Sequence, residues 1–307
     1  MPIPIIIDTD PGQDDAAAIL LALGSPELEV RAITTVAGNV ELDLATANAL
    51  RLLELAGRTD VPVHAGCPRP MVRPLVTAKH VHGRTGLDGA DLPAPRTRAR
   101  DQHAVPFLIE ALRGASQKLT LCPIGPLTNV ALALISAPDI ARRIERIVLM
   151  GGAFSGGNVT PAAEFNIYVD PHAAHVVLTS GVPIVMMPLD VTHQNQTTPP
   201  RLAEIAALGT APARAMAGML SFYDRSHAER FGGPPLHDPT TIAWLLAPGL
   251  FEGTAAHVAV EHASETTMGA TVADLFGKTG RPANAEVMLR IDADGFQRLF
   301  VERLGRL

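Results

Sequence analysis

Short apolar runs without polar alternation recur along this chain, and most hand over to a longer stretch with helical spacing. IPIII (3–7) leads into DDAAAILLAL, LEVRAITTVAG (28–38) into LDLATANALRLLELAG, and KLTLCPIG (118–125) into LTNVALALIS. VPVHAG (61–66) is brief, RIVLMGG (146–152) precedes DPHAAHVVLTSG after a loop, and VPIVMMPLD (182–190) precedes two helical stretches. A strand with one wet face alternates polar and apolar residues. One covered on both faces does not, because every side chain meets core. The rhythm of buried strand and helix predicts an α/β fold built on an open, mostly parallel, doubly wound sheet. Near the end, AAHVAVEHA, GATVADLFG and AEVMLRIDA read as a few antiparallel or edge strands, closed by the helix DGFQRLFVERLG. No linker rich in Pro, Gly or Ser separates them from the rest, so residues 1–307 are expected to form a single domain. SAPDIARRIERI (136–147) reads as a solvated helix face, and the pattern-poor segment 66–102 as a functional or mobile loop.

The chain has 307 residues, enough for a sizeable core. With one Trp and two Tyr, that core must be filled mostly by Ala, Leu, Ile and Val. The net charge is −6, and the densest basic stretches, RPLVTAKHVHGR and RTRAR, are too sparse to neutralise a phosphate backbone, so nucleic acid is not an expected partner. Cys67 and Cys122 lack metal-ligand spacing and read as two reduced, buried thiols. No apolar run is long enough to span a bilayer, and MPIPIIIDTD lacks the features of a secretory signal. The expectation is a cytoplasmic protein with no membrane partner.

DTDPGQDD places Asp8, Asp10, Asp14 and Asp15 within eight positions, where the first strand hands over to the first helix. Ligands of open parallel sheets bind at the carboxyl ends of the strands. A helix N-terminus favours negative charge but does not neutralise four carboxylates. Like charges this close must protonate, separate or bind a cation, and an oxygen-only donor set implies Ca²⁺ or Mg²⁺ rather than zinc. A helix cap accounts well for Asp14 alone, but poorly for Asp-Thr-Asp directly after four apolar residues. Further polar residues recur at strand ends. They are Asn39, the PIGPLTN turn with Ile124, then Asn158, Glu164 and Asn166 in GGNVTPAAEFNI, and Asp190. In PLHDPTTIAWLL, Asp238 stands before Pro239 as an N-cap would, next to His237.

DTDPGQDDAAAI, ITTVAGN, PIGPLTN, VLMGGAF, AEFNIYVDPHAA and LHDP, in this order, resemble the inosine–uridine-preferring nucleoside hydrolases. The resemblance runs from Asp8 to the C-terminal helix. It implies a Rossmann-like nucleoside hydrolase fold and hydrolysis of the N-glycosidic bond of ribonucleosides, giving ribose and a free purine or pyrimidine base. It implies one Ca²⁺ held by the carboxylates of Asp10, Asp15 and Asp238 and the backbone carbonyl of Ile124. Asp10 would also be the general base toward a Ca²⁺-activated water. Asp14, Asn39, Asn158, Glu164 and Asn166 would hold the ribose, with Asp8 orienting the loop. His237 would be the acid toward the leaving base. His82, in AKHVHGRTG, and His227 and Phe231, in SFYDRSHAERFGG, would contact the base, with Tyr223 and Arg230 as further contacts. Members of the family are often homodimers or homotetramers.

The chemistry is coherent. Ribose hydroxyls can complete a seven- or eight-oxygen Ca²⁺ shell, the ion lowers the pKa of water, and a carboxylate wall stabilises the oxocarbenium character of the breaking bond. A Mg²⁺-dependent haloacid-dehalogenase-like phosphatase also opens with DxD, with Asp8 as nucleophile and Asp10 as acid/base. That pattern needs Thr or Val where Gly12 stands, and it gives the Asp14–Asp15 pair no place. A Ca²⁺-stabilised nucleoside-binding protein without catalysis is the other alternative. The loop is no EF-hand, because its twelfth position is Ile19.

Overall fold

The structure is a computed structural model that describes residues 1–223 and 232–307. Strand β1 (Ile3–Thr9) is followed by α1 (Gln13–Leu23), β2 (Leu28–Thr35), α2 (Leu42–Leu55) and β3 (Val63–Ala65). The short α3 (Lys79–His82) and α4 (Ala104–Gly114) lead to β4 (Leu119–Pro123), α5 (Thr128–Ser136), β5 (Ile144–Met150), α6 (Phe165–Val169) and α7 (Pro171–Leu178). After β6 (Ile184–Met187) come α8 (Leu189–Thr192), α9 (Pro199–Ala207), α10 (Ala211–Phe222) and a helix over Pro239–Leu246. The chain closes through β7 (Phe251–Val260), β8 (Thr271–Asp274), β9 (Ala285–Ile291) and a helix over Ala293–Leu304.

Among the described residues the strands form one nine-stranded sheet in the order β3-β2-β1-β4-β5-β6-β9-β7-β8. Pairings from β3 across to β9 are parallel, whereas β7 runs antiparallel to β9 and β8 antiparallel to β7. The fold is thus the mostly parallel, doubly wound α/β sheet that the unbroken apolar runs require. β9 is antiparallel to β7, as read, but it is not an edge strand, because it lies inside the sheet and pairs in parallel with β6 on its other side. The 136–147 segment also differs. It holds a 3₁₀ turn over Pro138–Arg143 with Ile140 buried, and its last residues begin β5. The β5 ladder takes Ile144 and Ile147 into the core, which overrides the helical amphipathicity of the sequence.

The strands feed two cores. Ile5, Ile7, Ile33, Val148 and Met187 pack on the side of α1, α2, α10 and the helices over Pro239–Leu246 and Ala293–Leu304. Ile6, Leu121, Ile147 and Met186 pack on the side of α4, α5 and α7. Successive residues of β1 enter opposite cores because strand side chains alternate across the sheet. That is why the run is apolar throughout. From β1 the chain proceeds to β2 and β3 on one side, then returns to β4 on the other. This reversal opens a crevice at the carboxyl ends of β1 and β4, where Asp8 pairs with Thr34 and Pro123. Cys67 and Cys122 are both buried and free. Among the described residues no helix is long and apolar enough to cross a membrane.

Leu20 of α1 is wholly buried while Ile135 is half exposed. Leu20→Ala should cost about 3 kcal/mol of unfolding free energy, and Ile135→Ala under about 0.5 kcal/mol, read from urea denaturation midpoints.

Candidate active site

The end of β1 and the start of α1 form a tight turn whose polar atoms are nearly all inside the protein. Helix α1 takes Gly12 as its N-cap, and Asp15 accepts the Gly12 amide through Oδ2 at 2.9 Å. The capping role therefore falls to Asp15 rather than to Asp14. The same carboxylate accepts Thr9 Oγ1 at 2.5 Å, the Asp10 amide at 3.3 Å and Asn39 Nδ2 at 3.1 Å. Asp10 accepts the Asn39 amide through Oδ2 at 2.6 Å, while its Oδ1 has no hydrogen-bond partner. Two glycines leave room for this carboxylate. A Cβ on Gly38 would stand 2.0 Å from Asp10 Oδ2, and one on Gly125 would stand 2.4 Å from Oδ1. Asp14 receives the Tyr223 hydroxyl at 3.1 Å on Oδ2, and its Oδ1 is buried without a partner. Asp8 accepts Thr34 Oγ1 at 2.5 Å and Asn129 Nδ2 at 2.8 Å and lies behind the others.

The helix over Pro239–Leu246 adds Asp238. Although Asp238 sits at the N-cap position, its side chain makes no capping hydrogen bond. It turns toward α1, where carboxylate oxygens of Asp14, Asp15 and Asp238 lie within 4.8 Å of one another. The local cap reading fails here because the aspartate is drawn into a tertiary cluster. This grouping includes Asp14, which the family resemblance assigns to ribose, and does not include Asp10.

A cavity of about 480 Å³ opens over these carboxylates. Asp14, Asn39, His82, Ile124, Asn158, Glu164, Asn166, His237 and Asp238 line it, whereas Asp10 and Asp15 are wholly buried and are not among its lining residues. Glu164 caps α6 and accepts the amides of Asn166, Ile167 and Gly152. Asn166 Nδ2 donates to the Ile124 carbonyl at 2.9 Å, and Asn158 Oδ1 accepts the Phe165 amide at 3.0 Å. His237 Nδ1 lies 2.7 Å from Thr192 Oγ1. His80 and Tyr223 also line the cavity. His193 lines it too and was not picked out from the sequence; its ring is 5.6 Å from that of His237. It closes α8, a place that carries no signal in the sequence. Asp190, the second residue of α8, instead accepts the Phe154 amide at 2.8 Å and does not line the cavity. His227, Arg230 and Phe231 lie outside the described residues.

The electrostatics of the cavity are one-sided. Burial pushes the carboxyls of Asp10, Asp14, Asp15 and Asp238 upward, and the charge of Asp15 adds to this at the other three. Burial also raises Asp8 and Glu164 to about 7 and lowers His82 to about 3. No Lys or Arg is among the described residues that line the cavity. Clustered carboxylates, orphaned buried oxygens on Asp8, Asp10 and Asp14, and the absence of a lining Lys or Arg among the described residues fit a hard metal ion, so the cluster could hold one.

A family model described as inosine-uridine preferring nucleoside hydrolase matches residues 5–298. An uncharacterised protein of Schizosaccharomyces pombe is 51% identical over 99% of this chain and 99% of its own. A pyrimidine-specific ribonucleoside hydrolase of Shewanella sp. (strain ANA-3) is 50% identical over 98% of this chain and 96% of its own. Among solved structures, a purine-preferring ribonucleoside hydrolase from Gardnerella vaginalis superposes with a TM-score of 0.92, at 33% identity and covering 98% of each chain.

The shifts set a pH dependence for protein stripped by a chelator. Asp8 and Glu164 hold protons in the fold up to about 7, well above their unfolded values of 3.8 and 4.5, so their contribution is lost as pH rises through about 7. His82 acts in the opposite sense, but only below its unfolded value of 6.5. The Tm should therefore fall between about pH 4.5 and about pH 7 and level off above it, and a divalent cation should raise it more at the higher pH. A Tm that is flat with pH and unmoved by cations in a thermal scan would contradict the electrostatic assignment.

Proposed function

The chain belongs to the inosine-uridine preferring nucleoside hydrolase family, and on that premise we propose that its aspartate cluster holds one Ca²⁺ and that Asp10 is the general base. The overall reaction is hydrolysis of the N-glycosidic bond of ribonucleosides, as the whole-length likeness to ribonucleoside hydrolases requires. That likeness leaves no place for the phosphatase reading. One observation carries the metal and base assignment. Asp10, Asp14, Asp15 and Asp238 are buried together, and oxygens of Asp10 and Asp14 remain without partners.

In this reading Asp10, Asp15, Asp238 and the Ile124 carbonyl hold the ion. When bound, Ca²⁺ would lower the pKa of water and offer coordination positions to ribose hydroxyls. Asp10 Oδ1 accepts no hydrogen bond within the fold and takes the proton of the attacking water. Asp14, Asn39, Asn158, Glu164 and Asn166 orient the ribose. Their combined negative charge stabilises the cationic sugar as the bond to the base lengthens. His237 is the acid toward the leaving base. Its Nδ1 meets a threonine hydroxyl, which can donate or accept, so the ring is supported with its proton on either nitrogen. His82, with His227 and Phe231, contacts the base.

Pyrimidine ribonucleosides are the preferred substrates in this proposal, supported by 50% identity to a relative named for that specificity. Residues 1–307 act as a single nucleoside hydrolase domain, in the cytoplasm, as a homodimer or homotetramer.

Release of base and ribose from uridine, cytidine, inosine and adenosine, with calcium-loaded and chelator-stripped protein, tests all of this. Calcium-dependent turnover is expected, fastest with the pyrimidines. Asp10→Ala should lose about 10²–10⁴ in kcat with calcium still bound, and His237→Ala about 10². Calcium bound without any base release would sink the reading.

A further inference from the structure

We propose that Gln13 is a positioning residue that locks His82 in the Nδ1–H tautomer, so that His82 meets the substrate through Nε2 as a hydrogen-bond acceptor. The inference rests on reading the cavity as the nucleoside site, and it assigns a role to a residue of the aspartate turn that is not an aspartate.

Gln13 is wholly buried at the start of α1. Its Nε2 lies 2.9 Å from the His82 carbonyl and 3.1 Å from the Asp88 carbonyl. Both carbonyls can only accept, so the NH₂ group of the amide must face them, and the orientation of the amide follows from chemistry. Its Oε1 then lies 2.7 Å from His82 Nδ1. An amide oxygen can only accept, so Nδ1 carries the hydrogen. A neutral imidazole has one N–H, which leaves Nε2 with a lone pair. The ring stays neutral because burial, with His80 on the same helix adding to it, disfavours the charged form.

Packing holds this arrangement. The Tyr223 ring stacks on His82 with centroids 5.3 Å apart, and its hydroxyl donates to Asp14. On another side the close approach requires a glycine, since a Cβ on Gly12 would stand 2.4 Å from His82 Nδ1. Among the described residues, the charged or titratable groups facing the ring are His80 from its own helix, Tyr223 from the end of α10, and Asp14 beyond it. His82 reaches the cavity wall with its remaining nitrogen able only to accept. It suits a substrate that presents an N–H, as the edges of uracil, cytosine and hypoxanthine do, and it is unsuited to protonating the leaving base. The Nδ1 of His237 meets a hydroxyl, which can donate or accept, rather than an amide oxygen, which can only accept.

The test is a long-range ¹⁵N–¹H spectrum of the calcium-loaded, ¹⁵N-histidine-labelled protein, with His82 assigned by loss of its signals in His82→Asn. The expected result is a pyrrole-type Nδ1 and a pyridine-type Nε2, unchanged from about pH 5 to about pH 8. Gln13→Met removes the acceptor. It should mix the tautomers and raise KM for uridine about tenfold, with a smaller change in kcat. Gln13→Glu keeps the acceptor, should retain Nδ1–H, and should raise the pH at which His82 becomes an imidazolium. If Gln13→Met does not fold, the wild-type and Gln13→Glu spectra still decide the tautomer. A protonated Nε2 in the wild-type protein overturns the proposal, as does a Gln13→Met protein with unchanged tautomer and KM. The spectra do not depend on turnover. The expected tautomer in a protein that cleaves no ribonucleoside would leave the lock standing and refute the hydrolase reading instead.

Discussion

Mutual repulsion among buried carboxylates is the constraint around which this molecule is arranged. Asp8, Asp10, Asp14, Asp15 and Asp238 are all almost inaccessible to solvent, and no lysine or arginine among the described residues lines the cavity that Asp14 and Asp238 border. Moving one ion out of water costs several kcal/mol even after the protein relaxes. The arrangement persists because backbone amides, hydroxyls and carboxamides are aimed at these oxygens, and because protons or a cation can take up the remaining charge. The oxygens left without partners mark where the fold's own donors run out.

The fold supplies that support at its switch point. Thr34 from β2 and Asn129 from α5 reach Asp8 from opposite sides of β1. Asn39, just beyond β2, serves both Asp10 and Asp15. Such convergence needs backbone closer to side chain than a Cβ permits, which accounts for Gly38 and Gly125 beside Asp10. Glu164 shows the same logic on the far wall, where three backbone amides hold a buried carboxylate in place.

The two histidines differ in the company their Nδ1 atoms keep. A hydroxyl beside His237 tolerates proton movement, whereas an amide oxygen beside His82 forbids it. Two histidines of one cavity are thus given different proton freedom at Nδ1 by the residues behind them.

Much of this was legible in the sequence. The unbroken apolar runs specified strands covered on both faces, and DTDPGQDD marked a carboxylate cluster that could hold a cation, because like charges this close must protonate, separate or bind one. Where local pattern and tertiary need competed, local pattern lost. Asp238 has the sequence of an N-cap yet makes no cap bond, 136–147 has helical amphipathicity yet enters β5, and β9 reads as an edge yet lies inside the sheet. His193 and Gln13 gave no signal, since a lone histidine or glutamine at a helix end is ordinary. The sequence by itself determined the layered sheet and the place of the charge, because burial periodicity and like-charge crowding act between near neighbours in the chain. Only the tertiary structure decided which distant residues complete the site, with Asp238, Tyr223, His82 and Asn129 brought to the end of β1. Those contacts depend on strand order and on the direction of each crossover, which no local stretch of sequence encodes.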